Sequence, residues 1–150
     1  MKFCEMPYTR PDIDETKKSF DSLTERLASA KSYADAKEVF LEEQKLEKHI
    51  DTLVNLVSIR HSVNTRDKFY DEEKNFWNGA MPELQEYMQK WTGAMLATPF
   101  REDFSAEYGD LMFVNAEISL KAFSPEIIPE LQRENELVQE YEKLLASAQI

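Results

Sequence analysis

Between Pro11 and Gly79 the chain contains neither glycine nor proline. Nothing in residues 12–78 stops a helix by backbone chemistry, so any break there must come from Ser, Thr, Asn or Asp. Ala, Leu, Glu and Lys are frequent and Gly is scarce (3 residues), which favours helix over sheet. At 150 residues the chain has the length of one domain. The fold class expected is all-α: an elongated array of long antiparallel helices forming an arm or bundle.

Apolar spacing sets the helices. Asp12, with Glu15 three residues on, caps a first helix carrying Ile13, Phe20, Leu23 and Leu27 on one side. It fades in ASAKS. Ser32 with Asp35 opens a second, running to about Val63. Val39, Leu46, Ile50, Leu53, Val57 and His61 follow the 3–4 spacing of one face, and Lys48 points outward. Leu56, Ile59 and Val63 add a second apolar stripe. At 1.5 Å per residue this helix is roughly 50 Å long. A compact globule of this size is only about 40 Å across, so an elongated shape fits better than a sphere.

A third helix follows SVNT with Phe69, Tyr70, Phe76 and Trp77. Asn78–Gly79 and Pro82 are expected to interrupt or kink it before Leu84, Tyr87, Met88 and Trp91 continue the pattern. Thr98–Pro99 reads as a cap with proline at the first helical position. Gly109 breaks that run, and DLMFVNAEISLKAF forms a further helix. Ser124–Pro125–Glu126 caps the last one. It carries Ile128, Leu131, Val138, Tyr141, Leu145 and Ala148 on its apolar face, with a kink expected at Pro129.

The net charge of −11 is uneven. Residues 1–66 hold 12 acids and 11 bases, and residues 67–150 hold 17 acids and 7 bases. An acidic half argues against nucleic-acid binding, which needs Lys and Arg against phosphate. Solvated helix faces account for most of the excess. No apolar run is long enough for a bilayer and no signal-peptide core is present. The single cysteine, Cys4, has no partner for an internal disulfide and sits in no activating surroundings. A cytoplasmic location is the default reading.

Catalytic motifs are absent. There is no Gly-rich phosphate loop. His49 and His61 lack a second histidine four residues away, so the His-Glu-x-x-His helix of zinc peptidases is missing. Leu46 and Ser58 stand where a di-iron bundle needs glutamate. His61, on the apolar stripe, reads as a hydrogen-bonded core histidine. Asp71, Glu72 and Glu73 point in different directions on a helix and read as a solvated face. The aromatics read as core. No catalytic and no metal-ligating residue is identified, and no cofactor is expected in this chain.

Four collinear segments resemble one family. MKFCEMPYTRPD resembles the start of bacterial oligoendopeptidase F enzymes, relatives of thimet oligopeptidase. SIRHSVNTRDKFYDEE resembles that family's Arg-x-x-x-Asp-Thr-x-Asp-x-Phe-Tyr signature through Arg60, Asn64, Thr65, Asp67, Phe69 and Tyr70. Asn64 stands in place of the family's Asp, which preserves a capping role but not a charge. TPFREDFSAEYG and the stretch from AEISLKAF to the end are similar too.

The resemblance implies the N-terminal helical domain, residues 1–150, of a larger zinc metalloendopeptidase that cleaves oligopeptides. The catalytic domain and its zinc would lie beyond position 150. This part would wall one side of the substrate channel and be inactive alone. Arg60, Asn64, Thr65 and Tyr70 would fix the turn between the second and third helices or line the channel wall. The partners implied are the rest of the peptidase and, in the parent, oligopeptides. The chain on its own could also form a homodimer. Two other classes stay open: a free-standing helical interaction module, and a regulatory fragment that docks on a peptidase.

Overall fold

The computed structural model describes residues 5–148, so Cys4 and Ile150 lie outside the described residues. Among these residues there are six α-helices and no strand: α1 (Ile13–Ala28), α2 (Tyr33–Val63), α3 (Lys68–Ala97), α4 (Arg101–Tyr108), α5 (Leu111–Ala122) and α6 (Ile128–Ser147), with a 3-10 turn at Pro125–Ile127 before α6. No described helix is long and apolar enough to cross a membrane.

The side-chain caps explain the joints. Asp12 accepts from the Glu15 amide and Ser32 from the Asp35 amide, as the spacing predicts. Asp67 caps α3, accepting from the amides of Phe69 and Tyr70. Pairings across the helices give their directions. Arg26 meets Glu42, so α1 and α2 are antiparallel neighbours. Lys17 meets Glu83, and Leu27 shares a cluster with Met95, so α1 runs parallel to α3. Gln89 meets Ser119, and Asp71 meets Gln139, so α5 and α6 return antiparallel along α3. The long α3 is the spine to which α1, α2, α5 and α6 attach.

Two apolar clusters fill the layers. Phe20, Ile50, Leu53, Val57, Trp77, Ala80 and Leu84 join α1, α2 and the first half of α3. Leu23, Leu27, Ala36, Val39, Trp91, Met95, Phe104 and Phe113 join α1 and α2 to the second half of α3 and to α4 and α5. The main face expected for α2 is therefore the buried one, and Lys48 is exposed. Its second stripe is only partly packed: Leu56 is buried, but Ile59 and Val63 are exposed.

Other expectations need correction. Gly79 and Pro82 do not interrupt α3, which is continuous from Lys68 to Ala97. Packing of Trp77, Ala80 and Leu84 on α1 and α2 outweighs the local cost of the two residues. Thr98 ends α3 instead of capping the next helix, and α4 begins at Arg101. Gly109, at φ 86°, terminates α4 in a conformation that favours glycine. Pro129 sits in the first turn of α6, where its missing N–H costs nothing, so no kink is required.

The largest correction concerns α6. Its anticipated core face is open: Val138, Tyr141 and Leu145 are exposed. The side turned to α3 is polar, formed by Gln132, Asn135, Gln139 and Lys143 at helical spacing.

Candidate functional site

Polar side chains converge where the N-terminal segment, α2, α3 and α6 meet. Glu73 falls on the buried face of α3, one turn before Trp77, and is 4% exposed. Such a carboxylate needs compensation. Arg10 supplies it in a forked contact, Nη2 to Oε1 at 2.7 Å and Nε to Oε2 at 3.0 Å. The Tyr8 hydroxyl donates to the same carboxylate and accepts from Trp77 Nε1 at 3.1 Å. Burial acts to raise the Glu73 pKa, but the bonds from Arg10 and Tyr8 outweigh it and hold the group below its ordinary value. Burial, followed by the Glu73 contact, pushes the Tyr8 hydroxyl well up.

Beside this cluster, Arg60 Nη1 donates to the Tyr70 hydroxyl at 2.7 Å, and Nη2 donates to the Met6 carbonyl at 2.7 Å. Arg60 and Tyr70 thus come together, on residues 6–10 as they pass the α2–α3 joint. Asn64 and Thr65 do not join them. Asn64 ends α2 and accepts from the Arg66 amide at 3.2 Å. It does not cap α3, because Asp67 does. Thr65 lies in a cleft with Arg66, Lys143 and Leu144.

The second cluster lies between α2, α3 and α6. A single oxygen, Asp71 Oδ1, meets His61 Nε2 at 3.2 Å, Gln139 Nε2 at 3.0 Å and Lys143 Nζ at 2.5 Å. Burial would raise the Asp71 pKa, but the bonds from Lys143 and Gln139 prevail and lower it. Asn78 donates its amide to Gln139 Oε1. His61 is 0% exposed, which fits the core role read from its position, and its Nδ1 has no hydrogen-bond partner. The acidic run at 71–73 is therefore not a uniformly solvated face: Asp71 and Glu73 each hold a different helix or segment in place.

These clusters join elements of the fold. Among the described residues no three His, Cys, Asp or Glu side chains converge to hold a metal. His61 is committed to Asp71, and His49 is exposed. The donor set does not fit a zinc ion, which takes three or four convergent ligands.

Residues 3–123 match the model of the Peptidase M3 N-terminal domain. The chain belongs to that family. Three solved structures share its fold over essentially its whole length. One, from Bacillus anthracis, is assigned as an oligoendopeptidase F; it is 40% identical with a TM-score of 0.96, and the match covers 100% of this chain and 28% of that one. A second protein assigned as oligoendopeptidase F is 36% identical with a TM-score of 0.96, covering 100% of this chain and 26% of that one. The third, PZ peptidase A with an inhibitor, is 34% identical with a TM-score of 0.95, covering 99% and 26%. The chain thus spans about a quarter of the length of these structures. No curated protein matches it.

Proposed function

We propose that this chain is the N-terminal helical lobe of an oligopeptide-cleaving zinc metalloendopeptidase of the oligoendopeptidase F type, walling one side of its substrate channel. The observation that carries the reading is the match of the entire chain, at 36–40% identity, to about a quarter of two proteins assigned as oligoendopeptidase F. In this reading the zinc and its ligands belong to the other three-quarters of such a protein, and the described residues take no part in hydrolysis. Arg60, Asn64, Thr65 and Tyr70 serve the α2–α3 joint. Arg60 and Tyr70 hold the N-terminal segment against it, which sets the wall's shape.

The two faces of α6 support a larger assembly. The polar face is satisfied by α3, while Leu137, Val138, Tyr141, Leu144 and Leu145 are 47–65% exposed. The remainder of the peptidase is the occupant we assign to this face. In its absence a second copy of the chain takes that place. A cytoplasmic location goes with this reading.

A chimera tests the function. This chain replaces the matching segment of the Bacillus anthracis relative, and a quenched fluorescent oligopeptide reports cleavage. Chelator-sensitive turnover close to the parent's is expected from the chimera, and none from this chain alone. A well-folded but inert chimera would overturn the assignment.

A further inference from the structure

A second site, unrelated to the polar joint, lies between α2, α3 and α5. Phe40, Met88, Trp91, Met95, Met112 and Phe113 line a cleft of about 170 Å³, with Glu43 and Glu47 on its α2 side. Glu43 falls on the apolar stripe of α2 between Val39 and Leu46 and is 2% exposed. Gln44 Nε2 bridges the two acids, reaching an oxygen of each at 3.2 Å. Among the described residues neither carboxylate is in an ion pair, and Gln44 is the hydrogen-bond donor shown on each. The α3 and α5 residues that line the cleft are uncharged, and the Arg101 guanidinium of α4 stacks on the Phe113 ring at 4.7 Å from its centroid.

A buried carboxylate beside a second one, with no counter-ion, is costly. Burial, then the charge of Glu47, pushes Glu43 up to about 7. A cation in the cleft would remove that cost. A divalent metal is a poor candidate, because it requires more hard oxygen donors than two carboxylates in an apolar wall provide. An organic ammonium suits the site. Its N–H groups meet the two carboxylates, its charge lies near the aromatic faces of Trp91 and Phe40, and its carbon stem meets methionine. At about 30 Å³ per water-sized group the cleft holds roughly five or six such groups.

We propose that the cleft between α2, α3 and α5 is a binding site for a small primary alkylammonium ion, with Glu43 and Glu47 receiving the ammonium and Trp91, Met88, Met95 and Met112 receiving the stem. The site goes beyond the peptidase reading and does not depend on it.

Methionine methyl groups report the site directly. The whole chain carries 13C-methyl methionine and is titrated with n-butylammonium at about pH 8, where Glu43 is largely ionised. Saturable shifts are expected at Met88, Met95 and Met112, with Met6 unmoved. The neutral isostere n-butanol should give no saturable shift. Glu43→Gln should weaken binding at least about tenfold while the methyl spectrum without amine keeps its dispersion, and Glu47→Gln should weaken it about threefold. Saturation by n-butanol at the same concentrations would overturn the proposal. So would undiminished binding by a folded Glu43→Gln chain, or the lack of any saturable shift with n-butylammonium.

Discussion

Asn135 Nδ2 donates to the backbone carbonyl of Asn78 at 3.2 Å. In a regular helix that carbonyl would accept from residue 82, but residue 82 is proline and has no N–H. One turn of α6 therefore completes the hydrogen bonding of α3. Gln132 adds a bond to the next carbonyl, that of Gly79, at 2.8 Å, where residue 83 keeps its own N–H. The irregularity in α3 and the polar face of α6 are two halves of one joint.

A double-mutant cycle should expose this coupling. Asn135→Ala strands a carbonyl on a residue only 7% exposed, and is expected to cost about 1–2 kcal/mol. In a Pro82→Ala background the helix regains its own donor, and the loss should fall to roughly 0.5 kcal/mol or less. Urea melts of the four chains measure both. Equal losses in the two backgrounds would show that Asn135 does not substitute for the missing N–H.

Helix existence was legible wherever caps and apolar spacing agreed. Asp12 and Ser32 sit directly before periodic apolar runs, and both cap as read. The facing of α6 was not legible by the same rule, because the rule assigns the apolar side inward. Its inward side is instead built on hydrogen bonds to backbone carbonyls and polar side chains of α3, which hydrophobic periodicity does not encode. A signal was nonetheless present: Gln132, Asn135, Gln139 and Lys143 recur at helical spacing. Glu43 and Glu73 carry a similar signal, each a single acid on an otherwise apolar stripe. Such a residue needs a distant partner. Glu73 finds one in Arg10, whereas the donor shown on Glu43 among the described residues is its neighbour Gln44.

Asp71 anchors α6 through Gln139 and Lys143 and contacts His61 on α2. Asp71→Asn should cost about 1–3 kcal/mol and selectively raise amide exchange in α6, leaving α1 protected. Its folded pKa is lowered from 3.8, so its stabilisation is present above that value and fades as pH falls below it. The wild-type advantage over Asp71→Asn should therefore shrink in acid. A constant difference down to the acid limit would contradict the assignment.

Glu43 predicts the opposite trend. Its pKa rises from 4.5 to about 7 on folding, so the folded chain holds a proton that the unfolded chain releases. Stability should therefore fall as pH rises from 4.5 to about 7, then level off. Glu43→Gln removes this dependence. The variant should be more stable than wild type by about 1–3 kcal/mol at neutral pH and similar to it in acid. Melting curves across this range, taken without added amine, decide the matter. A variant weaker than wild type at neutral pH would indicate that the carboxylate is compensated.

The facing of α2 can be tested by truncation. Leu53, 5% exposed, lies in the cluster with Phe20 and Trp77. Leu53→Ala is expected to cost roughly 2–5 kcal/mol. Lys48→Ala, on the exposed side, should change stability by no more than about 0.5 kcal/mol. Comparable losses in urea would mean that α2 is rotated relative to this structure.

The open face of α6 makes the last prediction. Leu137, Tyr141 and Leu144 are 47%, 60% and 65% exposed, and the adjacent groove with Glu130 and Arg133 is almost wholly apolar in surface. Water tolerates single exposed apolar side chains, but clustered ones along a helix usually have a partner. By itself the chain should associate with a second copy through this face, most simply about a two-fold axis. Light scattering over a wide dilution series should show a concentration-dependent mass. Tyr141→Glu should shift the chain to monomer without lowering its melting midpoint, because Tyr141 makes no part of the described core. A monomer at every concentration that also binds no hydrophobic dye would mean that the face is stable in water. The docking role assigned to α6 would then lose its physical basis.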